Sequence, residues 1–342
     1  MAGSKTQPGI PNVPERLCAL PLALSMGDPA GIGPEIIAKA WRARVARAIP
    51  PFYVIGVQDA LHAVDIDLPC QVIARPGDAL AVFDTALPIM EIPIETCPSP
   101  GRPTSDGAKM AREAIALGTR QALRGKAAAL VTAPIHKAGL YGTGFDFKGH
   151  TDYLAHLCDQ DESDAVMLLV GGGIRVAPLT IHIALKDVPK AVTKDAILRT
   201  AKIMLRDLET RFGFSNPRLA ITGLNPHAGE DGSMGLEEQE HIIPAILELQ
   251  NAGHQVSGPH PADTLFSDAA RMGYDAALAM YHDQALIPVK TLDFSAGVNT
   301  TLGLKIVRTS PDHGTAFDIA GQDMADPESL IQALFLAARL AD

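Results

Sequence analysis

At roughly 100–200 residues per domain, the 342-residue chain is long enough for two domains. Lys and Arg total 29 against 39 Asp and Glu, a net charge of −10 with no basic run, which excludes a nucleic-acid or anionic-membrane partner because both demand clustered cations. Apolar residues at 47% and charged residues at 20% exclude wholesale disorder, and with aromatics at 5% the core must rest on Ala, Leu, Ile and Val.

Residues 1–17 carry Pro8, Pro11 and Pro14 among small polar residues and read as a flexible extension. Lys5 and Arg16 ahead of the apolar run Cys18–Met26 mimic a secretory signal. No small-residue cleavage site follows, and Gly27-Asp28-Pro29 reads as a turn after a buried strand, so a cytoplasmic protein is expected. Buried strands are predicted at Leu20–Met26, Phe52–Val57, Gln71–Ala74, Ala128–Thr132, Ala165–Val170, Val176–Ile181, Leu219–Thr222, Ala276–Met280 and Lys305–Arg308. Amphipathic helices are predicted at Gly107–Arg124, Lys194–Phe212, Leu236–Gln250 and Pro327–Ala341. Continuous apolar strands alternating with helices imply an α/β fold with mostly parallel sheets covered on both faces. Gly171-Gly172-Gly173 marks a tight reversal, and the Pro-, Ser- and Thr-rich stretch Ile92–Gly107 a linker or cover loop. Cys18, Cys70, Cys97 and Cys158 form no C-x-x-C pair and read as reduced thiols. No uncharged stretch approaches the ~18–20 residues needed to span a bilayer.

In such a sheet the polar residues at the C-terminal ends of strands form the site. The loop Ser25–Glu35 follows a strand and opens a helix, with Pro34 suited to the first turn. Gly31-Ile32-Gly33 resembles the start of a dinucleotide fingerprint, but Ile36 stands where the third glycine belongs and no Gly-Lys-Ser/Thr follows. A tight strand-to-helix turn explains it equally well.

Histidines carry a stronger signal. Of the 11, His182, His227 and His282 each fall at or just after an apolar strand among polar or turn residues. Three imidazoles from three strand ends can converge on one divalent ion and leave positions open for substrate. A single such histidine is more often a hydrogen-bonded structural residue, and gaps of 45 and 55 residues match no local zinc motif, so the fold must bring them together. Gly149-His150-Thr151-Asp152 opens a helix whose N-terminus favours an anion. Lys290, Asn299 and Arg308 add two cations and an amide suited to a phosphate or carboxylate, unless the two cations are solvated surface charges. Pro311–Gly321 is a loop entering a helix, compatible with nucleotide contact through backbone amides.

Met26–Ile36, Thr132–Lys137, Gly149–Asp152, Thr180–Asp187, Gly223–Gly229, Tyr281–Lys290 and Gly297–Gly321 together resemble, in consistent order from about Leu20 onward, the signatures of the 4-hydroxythreonine-4-phosphate dehydrogenase family of pyridoxal phosphate biosynthesis. The stretch His313–Gly321 is also similar to the cofactor loop of isocitrate and isopropylmalate dehydrogenases, whose fold the family shares. The resemblance implies a homodimer of two-domain α/β subunits. With the chain divided as 18–130 plus 270–342 and 131–269, the active cleft is expected between the two domains. It implies that His182, His227 and His282 bind a divalent ion, zinc first with Mg, Mn or Co as alternatives, one ligand coming across the dimer interface. By the same carry-over His150, Thr151, Lys290, Asn299 and Arg308 contact substrate, and Asp312, His313, Gly314 and Asp318 contact NAD, or NADP in its place. Asp283 is a candidate base, or else orients His282. The implied reaction is metal-assisted oxidation of the C3 hydroxyl of 4-phosphooxy-L-threonine, then decarboxylation to 3-amino-2-oxopropyl phosphate.

Three positions depart from the family pattern: Lys186 for arginine, Ala285 for glycine and Lys148 for proline. None removes a proposed ligand, but relatives oxidise other phosphorylated hydroxy acids or an aromatic cis-dihydrodiol dicarboxylate. The same histidines and aspartates also suit a metallohydrolase or phosphoesterase, or a non-catalytic phosphometabolite-binding protein, neither of which accounts for His313–Gly321.

Overall fold

A computed structural model describes residues 19–144, 147 and 149–342. The expected extension over 1–17, and Lys148, lie outside the described residues. Twelve strands occur in chain order among the described residues: β1 (Leu22–Ser25), β2 (Phe52–Gly56), β3 (Cys70–Val72), β4 (Leu87–Glu91), β5 (Leu130–Thr132), β6 (Val166–Gly171), β7 (Ile174–Thr180), β8 (Arg218–Thr222), β9 (Gln255–His260), β10 (Ala276–Tyr281), β11 (Val298–Leu302) and β12 (Arg308–Pro311).

The chain divides into two compact units, one ending at Met167 and resuming at Ser295, the other running Leu168–Phe294. These boundaries fall later than the expected 130/131 and 269/270, for reasons visible in the packing. The helices Lys137–Tyr141 and His150–Leu157 pack on the helix Ser105–Leu123, so the segment after β5 stays with the first unit. At the other boundary β10 pairs with β7 and β8, which carries residues 276–281 into the second unit.

In the first unit the strand order is β3-β4-β2-β1-β5-β12-β11, parallel except for the antiparallel pair β11/β12. Every residue of β1, β2 and β12 is buried, which is why the central strands read as unbroken apolar runs. The helix Ser105–Leu123 is capped by Thr104, whose hydroxyl accepts the Gly107 N–H at 3.1 Å. Its small buried face of Gly107, Ala108, Ala111, Ala114, Ile115 and Gly118 lets it lie close to β1, β2 and β5. Gly27 ends β1 at φ +75°, where a Cβ would stand 2.2 Å from the Pro134 carbonyl oxygen, so only glycine makes this turn.

In the second unit the order is β6-β7-β10-β8-β9. The antiparallel β6/β7 hairpin turns at the predicted glycines, with Gly171 opposite Ile174, and the other pairs are parallel. The helix Lys194–Thr210 starts at Thr193, which accepts the Ala196 N–H at 3.2 Å, and buries Ile197, Leu198, Ala201, Met204, Leu205 and Leu208. Among the described residues no helix is long and apolar enough to cross a membrane.

Candidate active site

In the second unit the three predicted histidines follow three neighbouring parallel strands, β7, β10 and β8. Tyr281 lies opposite Thr180 in the β10/β7 register, so the chain leaves both strands at the same level. His182 and His282 consequently meet, their ring centroids 6.0 Å apart. They line one pocket of about 390 Å³ with Thr180, Ile181, Tyr281 and Asp283. His282 Nδ1 lies 2.7 Å from Asp283 Oδ1. A carboxylate at that nitrogen favours the Nδ1–H tautomer and leaves the Nε2 lone pair for a ligand, the arrangement that orients metal-binding imidazoles. Lys290 is on the same helix, His282–Leu292, about 12 Å along its axis, and its ammonium lies 5.5 Å from the Phe294 ring centroid. It is not among the residues lining this pocket.

His227 is reached by an unusual backbone. From His227 to Asp231 every residue has left-handed dihedrals, with φ of 53°, 53°, 81°, 41° and 55°. Each non-glycine residue in that region costs roughly 1–2 kcal/mol, so the loop needs external support. Glu238 supplies it. Its buried carboxylate accepts the N–H groups of Leu224 and Asn225, both at 2.8 Å, and the Asn225 side-chain amide at 2.9 Å. Gly229 sits against this carboxylate, where a Cβ would stand 2.6 Å from Oε2. Glu238 opens a π turn, Glu238–Ile242, ahead of the helix Ile243–Asn251. The sequence shows Glu238 only as one more acid on a predicted helix, and nothing in the spacing marks its partners.

Among the described residues no three His, Cys, Asp or Glu side chains stand close enough together to hold a metal ion. His182 and His282 are paired, while His227 is exposed on its loop and does not line their pocket. The donor chemistry still suits a divalent cation: uncharged nitrogen ligands on adjacent strand ends, one of them already oriented by a carboxylate.

The first unit holds the remaining predicted residues. Arg308 is no surface charge: it is 2% exposed, and burial pushes its pKa down to about 10. Its guanidinium donates to Thr132 Oγ1 at 2.6 Å and Thr301 Oγ1 at 3.2 Å, and its buried Nε has no partner among the described residues. On the adjoining strand β11, opposite Ser310, Asn299 has a buried Oδ1 that likewise has none among them. His150 and Thr151 are the first two residues of the helix His150–Leu157.

The two glycine-rich loops prove to be one assembly. Ile32 N–H donates to the Thr315 carbonyl at 3.0 Å, and a Cβ on Gly31 would touch the same oxygen at 3.0 Å. Buried Glu35 accepts the N–H groups of Gly321 at 3.1 Å and Ala325 at 2.8 Å, and pairs with Lys39 at 3.0 Å. Ser329 Oγ accepts the Asp312 N–H at 3.1 Å. His136 meets the Phe317 ring edge-on at 5.1 Å. The loop 312–321 is thus fixed from beneath, with His313, Gly314 and Asp318 exposed on it. Asp28, in the same assembly, accepts the Ala30 N–H at 3.0 Å, and its burial raises its pKa.

Fold and site define a class: an α/β enzyme that gathers polar side chains beyond the C-terminal ends of parallel strands. The chain belongs to the pyridoxal phosphate biosynthetic protein PdxA family, whose model matches residues 48–337. It is 49% identical over 321 residues, covering 94% of this chain and 96% of the relative, to a 4-hydroxythreonine-4-phosphate dehydrogenase of Zymomonas mobilis. The crystal structure of the Klebsiella pneumoniae enzyme of that name superposes with a TM-score of 0.84 at 36% identity, covering 95% of this chain and 100% of that one. A terephthalate 1,2-cis-dihydrodiol dehydrogenase from Burkholderia xenovorans is more distant, with a TM-score of 0.64 and 27% identity over 94% of this chain and 98% of that one. These relatives are dehydrogenases acting on CH–OH groups, and the family's role is in making pyridoxal phosphate.

Proposed function

We propose that this chain oxidises the C3 hydroxyl of 4-phosphooxy-L-threonine with NAD⁺ as acceptor and releases CO₂, leaving 3-amino-2-oxopropyl phosphate. The observation that carries this reading is the end-to-end likeness, at 49% identity, to a relative named for that substrate. The site chemistry supports it. Among the described residues Arg308 is a buried cation with no carboxylate bonded to it, and a phosphate or carboxylate would satisfy the guanidinium. His150, Thr151 and Lys290 complete the substrate contacts in this reading.

His182, His227 and His282 would hold the cation, zinc in the first instance, with one of the three coming from a second copy of the chain in a cytoplasmic homodimer. When bound, that cation supplies a Lewis acid for negative charge on oxygen, and NAD on the Asp312, His313, Gly314 and Asp318 loop supplies the electron acceptor. Asp283 keeps His282 oriented through Nδ1. Arg308 and Asn299 fix the anionic end of the substrate so that C3 faces the acceptor.

The test is to incubate the purified protein with 4-phosphooxy-L-threonine, NAD⁺ and Zn²⁺ while following NADH absorbance and free phosphate in the same tube. NADH growth without phosphate release is expected. Phosphate release without NADH indicates a phosphoesterase, and turnover only of a dihydrodiol or another phosphorylated hydroxy acid moves the chain to a sister activity.

A further inference from the structure

We infer that Glu238 is the positioning residue for His227, setting the imidazole through the backbone loop that carries it. The inference rests on reading His227 as a metal ligand. Two of the three strand-end histidines, His282 and His227, are held differently. His282 is held through its own ring, by Asp283 at 2.7 Å. The His227 ring makes no hydrogen bond among the described residues, so what the structure fixes is the backbone that sets its Cα–Cβ direction.

That backbone is left-handed from 227 to 231, and apart from its own tight turns it is tied at its ends by Ala228 N–H to the Asn225 carbonyl at 3.1 Å, Ser233 N–H to the Glu230 carbonyl at 3.2 Å and Met234 N–H to the Gly229 carbonyl at 3.2 Å. Glu238 brackets it. Ahead of His227, Oε1 takes the Leu224 and Asn225 N–H groups, and Oε2 takes the Asn225 amide, which also donates to Glu237 at 2.8 Å. Gly223, also ahead of it, leaves room for only 3.1 Å between a Cβ and Oε1, and behind it Gly229 lies directly against Oε2. Every hydrogen bond of this buried carboxylate goes to the one loop. A charged group spent wholly on backbone and amide donors is well matched to fixing a strained turn, because bonds to an ionised acceptor are the stronger kind. The π turn it opens is a rare element that occurs mainly at functional sites.

Glu238→Gln keeps one oxygen for the two backbone N–H groups but turns an NH₂ toward the Asn225 amide. Glu238→Ala removes the clamp. In the full-length protein, Zn²⁺ affinity measured against a chromophoric chelator should weaken about tenfold in E238Q and up to about 100-fold in E238A, the range for lost support of metal ligands. NADH production in both should recover at saturating Zn²⁺ with the substrate KM unchanged, whereas H227A should not recover. In metal-free protein, amide exchange at Leu224 and Asn225 should accelerate in E238Q. Wild-type Zn²⁺ affinity in E238Q, with H227A impaired, overturns the role of Glu238 alone. Wild-type affinity in H227A overturns the ligand reading, and the inference with it. If E238A does not fold, the near-isosteric E238Q decides.

Discussion

Arg308→Met separates a binding residue from a structural one, because the two roles predict opposite signs for stability. Burial lowers the Arg308 pKa from the ordinary guanidinium value to about 10, which at 1.36 kcal/mol per unit is a penalty of roughly 3 kcal/mol on the charged form. Because the folded pKa lies below the unfolded one, the penalty applies at all pH below about 10 and lifts only above it. Against it stand two hydrogen bonds from a charged donor, to Thr132 and Thr301, at about 1.5–3 kcal/mol each. At the lower end of that range the terms cancel. Methionine of similar length should therefore leave unfolding free energy within about 2 kcal/mol of wild type, or raise it. Loss of one charged contact to the substrate anion should raise KM for 4-phosphooxy-L-threonine about 10- to 150-fold. Urea unfolding at pH 7 and initial rates of NADH formation measure both. A variant that loses more than about 3 kcal/mol of stability while keeping its KM would show that Arg308 holds the fold, and the anion argument would fail.

Asp283→Asn should weaken Zn²⁺ binding about 10- to 100-fold, because the carboxylate no longer favours the Nδ1–H tautomer of His282; isothermal titration with Zn²⁺ checks it, and an unchanged affinity would refute the orienting role. Glu35→Ala frees the Gly321 and Ala325 N–H groups and should raise KM for NAD⁺ severalfold more than KM for substrate; equal changes in both would detach the loop 312–321 from the cofactor. Asp275 accepts two bonds from the Arg218 guanidinium, at 2.8 and 3.2 Å, and the Arg218 N–H at 2.8 Å. Burial raises its pKa, but these Arg218 contacts outweigh burial and hold it below the usual carboxylate range. Its folded pKa being depressed, the stabilisation is present above the unfolded value of about 3.9 and is lost as pH falls through the folded one. Wild type should therefore exceed Asp275→Asn by about 1–3 kcal/mol at pH 7 and by little near pH 2, as read from urea midpoints; a difference that persists undiminished in acid would contradict the assignment.

Strands buried on both faces announced themselves in the sequence. β1, β2 and β10 are continuous apolar runs because residues pointing to either face of the sheet are buried. Those that the pattern missed are instructive. β4 contains Pro88, β9 contains Gly258-Pro259 at the sheet edge, and β11 reads Val-Asn-Thr-Thr-Leu. The polar residues of β11 are tolerated because their groups find partners within the unit, as Thr300 Oγ1 does by donating to the Arg308 carbonyl at 2.9 Å. The strand expected at Lys305–Arg308 instead runs Arg308–Pro311, sharing only Arg308, since an arginine looks like a boundary until its burial is seen. The three strand-end histidines could be named from their contexts, but the meeting of His182 and His282 depends on the adjacency of β7 and β10, which no local spacing encodes. Asp28, Glu35 and Glu238 were not singled out. Each is a buried acid that accepts main-chain N–H groups, and such donors have no signature in side-chain chemistry.

The placement of β12 between β5 and β11 sets an order of events for a chain emerging from the ribosome. β5 is complete at residue 132, yet its second neighbour begins only at residue 308. Through the synthesis of almost the whole Leu168–Phe294 unit, β5 therefore presents an open parallel edge lined with apolar side chains, the kind of surface that recruits another strand. The unit made later can close first, because its own strand partners all lie within its contiguous stretch. The earlier unit closes when Arg308–Pro311 slots in and the last helix, Glu328–Ala341, lands on it. Loss of the final few dozen residues would thus leave an unzipped sheet as well as a missing helix, which makes truncated products natural clients of chaperones and proteases.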